Sequence, residues 1–230
     1  MRIFVGTSGW SYDWNDGGSL DWYRERSGLN AIELNASFYR IPRRDQVTAW
    51  ALRAGPLDWS VKVSRSVTHR HFLNAVGLVT YGRFLEAFLP LDSRISYYLF
   101  QFSPRFSIRH LDRIRELLDR FPSGKIAFEF RHPSWFTFDF SRLSFDGAVV
   151  SPDSPDHQGL LYSKNGRIYL RFHGRRLWYS DQYHSEELRE IADRVRQAAP
   201  RRVHAFFNND HFMLQNARDF LSMLAEGEVQ

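Results

Sequence analysis

Eight short runs rich in β-branched and aromatic residues recur along this chain, and their spacing constrains the fold more than any other feature. The runs are residues 3–5, 31–34, 60–63, 97–102, 126–130, 147–150, 168–172 and 203–207. Their starts lie about thirty residues apart on average, the length that a strand, a crossover helix and the next parallel strand require. Hydrophobic runs that alternate with helix-like segments are typical of parallel α/β folds. Eight such units predict a single-domain (β/α)8 TIM-like barrel over residues 1–230.

The segments between the runs predict helices in some units and irregular structure in others. Apolar residues recur at three-to-four spacing in residues 108–121 and 185–195, as expected of one buried helix face. A last helix is predicted over residues 212–224. The stretch after Arg131 and residues 152–165 contain Pro or Gly and little periodicity, which predicts loops or shortened helices there.

An open doubly wound sheet is the rival architecture. Such a sheet would carry a glycine-rich phosphate loop after its first strand. The segment Gly6–Gly9 is too short for either the dinucleotide pattern or the P-loop pattern. No internal repeat, Gly/Ser linker or change of composition marks a domain boundary, so the barrel is favoured.

Several function classes are excluded or disfavoured by composition. The chain has no cysteine, which excludes disulfides, thiolate zinc sites and a cysteine nucleophile. The apolar run near Met1 is too short for a signal peptide, and no stretch approaches the roughly 18 apolar residues of a membrane span. We therefore expect a cytoplasmic protein that does not associate with membranes.

The positive charge of the chain is carried almost entirely by arginine. The formal net charge is +5, and of the 31 basic residues only Lys62, Lys125 and Lys164 are lysine. A basic balance favours an anionic ligand, from phosphorylated metabolites to nucleic acid, although a solvated arginine-rich surface is the simpler explanation. The oligomeric state is not readable from these features.

Polar residues stand at almost every predicted strand end. In a (β/α)8 barrel the carboxyl ends of all strands open into one mouth, where active sites of this fold are built. Residues two apart on a strand share a face, so most of these residues should converge. This predicted set comprises Ser8, Trp10, Glu33, Asn35, Lys62, Gln101, Glu129, Arg131, Asp153, Arg171, His173, Asn208, Asn209 and Asp210.

Four residues of this set are the predicted catalytic groups: Glu33, Lys62, Glu129 and His173. Lys62 is a rare lysine, and an ammonium can lose its proton when desolvated or can stabilise an oxyanion. An ion pair with Glu33 or Glu129 is the structural alternative. His173 is the best acid/base by its ordinary pKa, and a hydrogen-bonded core histidine is its alternative.

A metal site and an aromatic wall are further readings of the same mouth. A divalent metal could be held by four residues, Glu129, Asp153, His173 and Asp210. Their spacing matches no tight metal-binding motif, and the sequence requires no cofactor. Trp135, together with Tyr179, is predicted to wall the pocket and contact substrate.

The motifs together resemble the YecE-like family, known as domain of unknown function 72. The resembling stretches are GTSGWSY at 6–12, IELNASFYRIP at 32–42, VKVSRSVTH at 61–69, FQFSP at 100–104, FEFRHPSW at 128–135, YLRFHGR at 169–175, YSDQY from 179 and FFNND at 206–210. The resemblance implies a TIM barrel and adds His69 and Tyr183 to the site. The segment from Trp14 to Leu29 is short for the family. The resemblance implies no particular reaction.

The leading hypothesis is an enzyme of hydrolase or isomerase type acting on a small or oligomeric anionic or polyhydroxyl substrate. In this hypothesis Arg131 and Arg171 bind negative charge, His173 and a glutamate exchange protons, and Lys62 stabilises an anion. A metal-dependent phosphodiesterase or nucleic-acid-processing protein is the first alternative. A non-catalytic ligand-binding barrel is the second.

Overall fold

Eight parallel strands close into a barrel in the order of the chain, and this confirms the predicted fold class. The structure, a computed structural model, describes residues 1–226. The last strand pairs with the first from Arg2↔Arg202 to Thr7↔Phe207, which closes the sheet. The strands are β1 Arg2–Thr7, β2 Ala31–Leu34, β3 Asp58–Lys62, β4 Ile95–Gln101, β5 Ile126–Glu129, β6 Ala148–Asp153, β7 Arg167–Phe172 and β8 Arg202–Phe207.

The helices surround the barrel unevenly. Within residues 1–226 the α-helices are α1 Leu20–Arg26, α2 Arg44–Arg53, α3 Ala75–Phe88, α4 Leu111–Arg120, α5 Ser185–Gln197 and α6 Met213–Glu226. No α-helix separates β5 from β6 or β6 from β7, and this confirms the two irregular units predicted from the sequence. In the described part of the chain, every helix is too short or too polar to span a lipid bilayer.

Local sequence explains where these helices begin. α5 starts with a reciprocal cap, because the Glu187 carboxylate accepts from the His184 backbone N–H at 2.8 Å while the His184 side chain accepts from the Glu187 backbone. Glu186 and Glu187 also favour the positive end of the helix dipole. In α4, Ile114 and Leu117 are buried on one face, as the three-residue spacing predicts.

Two apolar layers hold the barrel together. A larger cluster lies between the strands and the surrounding segments, and a smaller cluster fills the lumen. The lumen cluster consists of Ala31, Tyr97, Leu99, Ala127, Ala148, Val150, Tyr169 and Phe206. Because side chains alternate along a strand, residues an even number of positions after these also face the lumen. This parity decides which polar strand ends can meet.

Gly6 allows β1 and β2 to approach each other closely. A Cβ atom built on Gly6 would lie 2.1 Å from the backbone oxygen of Ala31, well inside van der Waals contact. Gly6 pairs with Ala31, the first residue of β2, so any side chain here would push β1 away from the start of β2. The glycine therefore sets the distance between these two strands.

Candidate functional site

A buried guanidinium joins two buried carboxylates across the lumen. Arg171 on β7 donates through Nε to Glu33 at 3.0 Å and through Nη2 at 2.7 Å. Its Nη1 donates to Glu129 Oε2 at 2.6 Å. Glu33 and Glu129 are fully buried, and Arg171 is 1% exposed. The floor of the mouth therefore consists of two buried carboxylates that share one buried guanidinium.

The Glu33 carboxylate is saturated with donors. Tyr169 donates to Oε2 at 2.7 Å, while Ser8 and Asn35 each donate to Oε1 at 3.1 Å. The Tyr169 hydroxyl also lies 2.6 Å from the Ser60 hydroxyl, which continues the network. Burial raises the pKa of Tyr169 well above its ordinary value, so its hydroxyl keeps its proton. Glu33 has few acceptor positions left for a ligand.

The Glu129 carboxylate is held ionised. Gln101 donates to its Oε1 at 2.8 Å, and Arg131 donates to the same oxygen from Nε at 2.9 Å and Nη2 at 2.7 Å. Burial alone raises the pKa of Glu129, but the positive charges of Arg171 and Arg131 outweigh it and hold that pKa well below its ordinary range. Glu129 is therefore a fixed negative charge near neutral pH.

His173 is buried and uncharged. Burial, aided by the positive charge of Arg171, holds the pKa of His173 well below its ordinary value. Its Nε2 lies 3.4 Å from Arg171 Nη1, and its Nδ1 lies 3.4 Å from the Asn208 amide. Both neighbouring groups, the Arg171 guanidinium and the Asn208 amide nitrogen, are donors, and a neutral imidazole has one accepting nitrogen. The His173 ring can therefore accept from one of these two donors at a time.

Lys62 carries a free amine at the edge of this network. Its Nζ lies 4.2 Å from the centre of the Phe38 ring. Among residues 1–226 no carboxylate lies within ion-pair distance of this nitrogen, so the predicted alternative of an ion pair with Glu33 or Glu129 is not found. Burial, followed by the positive charge of Arg171, lowers the pKa of Lys62 to about 7.

His69 also contacts the Phe38 ring. It belongs to a single π-helical turn, Ser66–Arg70, shortly after the end of β3. The two rings are 5.0 Å apart at 83°, an edge-to-face contact. Burial, followed by the charge of Lys62, lowers the pKa of His69 to about 4. Phe38 thus connects Lys62 to a neutral histidine.

Arg131 is the partly exposed cation of the mouth. Its side chain is 19% exposed, and its guanidinium lies 5.1 Å from the centre of the Trp178 ring. Trp178 also lies 5.6 Å from the His173 ring. Tyr179 lies 5.5 Å from the same ring and is 45% exposed, as expected of a residue at the pocket edge. These residues shape the rim above β5 and β7.

Two residues predicted to line the pocket face away from the lumen. Asp153 lies three positions after the lumen residue Val150, so alternation turns it outward. It accepts there from Arg175 Nε at 3.1 Å and from the Tyr183 hydroxyl at 2.9 Å. Tyr183 is 2% exposed, so these side chains fix the loop after β7 and do not line the lumen.

Asn209 is likewise turned out of the lumen, because its neighbour Asn208 is on the inner side. Its amide donates to the Asp181 backbone at 2.8 Å and to Asn216 at 2.8 Å, and the residue is fully buried. Asp210 follows with a positive φ of 56° and lies 3.5 Å from the exposed ring of His211. The loop after β8 therefore contributes Asn208 to the lumen.

Two aromatic residues of the predicted site pack against other aromatic rings. Trp135 is fully buried, stacks on Phe130 at 4.1 Å and donates from Nε1 to the Phe106 backbone at 2.7 Å. This corrects the prediction that Trp135 walls the pocket. Trp10 is half-buried and meets Trp59 edge to face at 5.9 Å. Since Trp59 precedes the lumen residue Ser60, this contact lies outside the lumen.

The four residues of the metal alternative do not form a ligand set. Glu129 is held by two arginines and Asp153 is turned outward. Across residues 1–226 no group of three or more His, Asp or Glu side chains is arranged to hold a metal ion. The donor chemistry at the mouth is that of fixed positive charges and one free amine.

Sequence reasoning missed several site residues. Tyr169 and Ser60 each lie two positions before a predicted site residue, Arg171 and Lys62, so strand alternation could have identified them. Phe38 is a further site residue, because its ring contacts the Lys62 amine. Trp178 lies in a loop with no periodic signal that would have revealed it.

The protein is thus a (β/α)8 barrel whose mouth has a floor of buried carboxylates and a guanidinium group. The chain matches the family described as protein of unknown function DUF72 over residues 4–230, and it belongs to that family. The predicted resemblance is thereby confirmed.

Solved structures show the same fold. A DUF72 family protein from Enterococcus faecalis is 23% identical, with a TM-score of 0.79, and the match covers 97% of this chain and 96% of that one. A DUF72 family protein from Thermotoga maritima is 26% identical, with a TM-score of 0.76, and the match covers 98% of this chain and 100% of that one. No curated protein matches this chain at a significant level.

Proposed function

We propose that this DUF72 protein is an enzyme that performs acid/base chemistry, of hydrolase or isomerase type, on a small anionic or polyhydroxyl substrate at the barrel mouth. The observation that carries the proposal is the free amine of Lys62, which faces Phe38 at 4.2 Å and has its pKa lowered to about 7. A group whose pKa is close to the working pH is the most effective proton carrier. A cytoplasmic location is part of the same proposal.

The other ionisable groups of the floor fit supporting roles. Glu33 accepts from four side chains, and Glu129 accepts from three. Moving a proton onto either carboxylate would break hydrogen bonds to a buried guanidinium. His173 is neutral and fully buried beside Arg171. We therefore assign the exchanged proton to Lys62, in place of the histidine and glutamate of the sequence-based hypothesis.

The neutral Lys62 amine would take a proton from a substrate carbon or from water, and the resulting ammonium would stabilise the negative charge that develops. Arg131 is the nearby cation with exposed surface, and it offers a second positive charge at the rim. Because the floor is buried, these charges act in a medium of low polarity. This arrangement supports chemistry that forms an enolate or an oxyanion.

The state of Lys62 can be measured without a substrate. Because the chain has three lysines, Lys62, Lys125 and Lys164, acetic anhydride labelling followed by mass spectrometry resolves each one in the same sample. We expect Lys62 labelling to rise with a midpoint near pH 7, since only the neutral amine reacts. Lys125, which contacts Asp92 at 2.7 Å, is the internal control. A Lys62 midpoint above about pH 9 would contradict the proposal.

Turnover is tested with sugar acids and sugar phosphates in D2O, followed by NMR. Solvent deuterium entering a substrate carbon reports proton abstraction, and new products report hydrolysis. We expect turnover by wild type and by the control Lys125→Met, and its loss in both Lys62→Met and Lys62→Arg. Turnover that persists in Lys62→Met would sink the assignment. A ligand that binds but shows no exchange or product would favour the non-catalytic barrel instead.

A further inference from the structure

A cavity of about 710 Å3 opens beside β3 and is rich in arginine. Arg65, Arg70 and Arg105 line it together with His69 and Tyr39. Small-molecule sites in proteins have volumes of about 300–1,000 Å3, so this cavity is large enough for a metabolite. Its lining carries no Asp or Glu side chain. The electrostatic potential inside the cavity is therefore positive.

The three guanidinium groups of this arginine pocket are unpaired. In residues 1–226 none of Arg65, Arg70 and Arg105 lies within ion-pair distance of a carboxylate, whereas Arg171, Arg175 and Arg176 each contact two. Guanidinium groups bind phosphate through two parallel hydrogen bonds, which makes arginine well suited to that anion. Three unpaired guanidinium groups around one cavity are complementary to an anion of high charge.

Aromatic rings position two of these three cations. Arg65 lies 5.8 Å from the Tyr39 ring, and Arg105 lies 5.7 Å from the Phe72 ring. Phe72 in turn stacks parallel to Phe106 at 6.1 Å. Cation–π contacts of this kind restrict a guanidinium to the space above a ring. The side chains of the arginine pocket are therefore partly ordered before any ligand arrives.

The backbone of the same loop is held in a strained form. Phe72 and Leu73 have φ values of 47° and 57°, in the left-handed region that side chains rarely adopt. Leu73 is fully buried, and Arg113 donates to the Phe72 carbonyl at 2.9 Å. These contacts stabilise a backbone conformation that is unfavourable for residues other than glycine. A strained backbone of this kind persists where the surrounding contacts hold it in place.

Two side chains, His69 and Phe38, connect the arginine pocket to the Lys62 amine. His69 is part of the pocket lining, and its ring contacts Phe38, whose face meets Lys62 Nζ at 4.2 Å. Tyr39, the next residue after Phe38, also lines the pocket. A ligand in the pocket would therefore contact His69, and the Phe38 ring contacts both His69 and the free amine.

We propose that the arginine pocket binds the phosphate group of a phosphomonoester substrate and directs the rest of that substrate to Lys62. A monoester is a dianion near neutral pH, and it suits three cations that surround one cavity. A nucleic-acid backbone carries a single charge per phosphate and is bound along an extended groove. The role given to Lys62 rests on the proposed function, whereas phosphate binding by the pocket does not.

Binding is measured by calorimetry with inorganic phosphate and with ribose 5-phosphate, using ribose as the uncharged comparison. We expect Arg65→Gln, Arg70→Gln and Arg105→Gln each to raise the Kd for ribose 5-phosphate about ten- to hundred-fold, as loss of a charge-assisted contact does. Arg83 is an exposed arginine of α3 outside the pocket, so Arg83→Gln should leave the Kd within about two-fold of wild type.

Two results would overturn the pocket assignment. One is an equal loss of affinity in Arg83→Gln and in the pocket variants, which would indicate only general attraction to a basic surface. The other is tight, pocket-dependent binding of a 12-nucleotide single strand with no binding of either phosphate probe, which would indicate a nucleic-acid site. The unfolding temperatures of all variants are compared first. Because residues 65, 70 and 105 are exposed, substitutions there should leave the unfolding temperature near that of wild type.

The Lys62→Met variant separates this proposal from the proposed function. If it binds ribose 5-phosphate with the wild-type Kd but lacks turnover, both proposals stand. If Lys62→Met and wild type are equally active while the pocket variants lose affinity, the pocket stands and the role of Lys62 falls. If turnover depends on Lys62 while the pocket variants bind and react like wild type, the pocket assignment falls alone.

Discussion

Replacing Arg171 by methionine should strongly destabilise the protein. The guanidinium is 1% exposed and is the cation shared by two fully buried carboxylates. Removing one member of a buried ion network leaves uncompensated charge and costs about 3–5 kcal/mol. For a chain of this size that loss lowers the unfolding temperature by about 6–20 °C. Urea denaturation and calorimetry at pH 7 measure the effect directly.

The same variant has a pH signature. In wild type the depressed pKa of Glu129 contributes stability above the ordinary carboxyl pKa, and this stability is lost as pH falls through the depressed value. Without Arg171 the raising effect of burial is less strongly opposed, so the pKa of Glu129 is higher than in wild type. Acid then protonates Glu129 and removes the cost of its buried negative charge. The stability difference between wild type and Arg171→Met should therefore be largest near pH 7 and should narrow toward about pH 4.

A surface variant tests whether the predicted loss of stability is specific to the buried ion network. Arg115 also pairs with a carboxylate, Asp112 at 2.9 Å, but its side chain is 56% exposed. Exposed ion pairs contribute about 0–1 kcal/mol, so Arg115→Met should unfold almost as wild type does. If Arg171→Met is as stable as Arg115→Met, or if its deficit is the same at every pH, the reasoning about the buried network is refuted.

Two further predictions concern neighbouring positions. Lys62→Met should raise the unfolding temperature at pH 7, because burial penalises the Lys62 ammonium. This gain in stability should fade as the pH rises from about 7 to the ordinary pKa of lysine. A loss of stability at pH 7 would count against the lowered pKa of Lys62. Gly6→Ala should cost several kcal/mol (about 3 or more), because its Cβ would lie 2.1 Å from the Ala31 oxygen. Its control, Gly82→Ala in α3, meets no atom within 4 Å and should stabilise the helix by about 1 kcal/mol, as urea denaturation would show.

The strands were predictable because parallel strands are buried on both faces and appear as continuous apolar runs. Residues 31–34 and 168–172 illustrate this, since the observed β2 and β7 start within one residue of the predicted runs. The inward pairs Glu33/Asn35 and Arg171/His173 followed from alternation alone. Their mutual contacts did not, because Glu33 and Arg171 are 138 residues apart in the chain.

The errors have equally physical causes. β6 continues to Asp153, three residues past the predicted end at Val150, and an odd offset places Asp153 on the outer face. The arginine pocket was not predicted because arginine supplies nearly all positive charge in this chain, so Arg65 or Arg105 carries no distinguishing signal in sequence. Only the three-dimensional arrangement shows which arginines lack a carboxylate.

The network around Arg171 also bears on how the chain folds. Its contacts join β7 to β2 and β5 over separations of 138 and 42 residues, so they form only when distant parts of the chain have assembled. A half-closed sheet would hold two carboxylates and a guanidinium without partners, and such intermediates are penalised. Contacts of high sequence separation also slow folding. Closure of the barrel and assembly of its charged floor should therefore occur in one cooperative and comparatively slow folding transition.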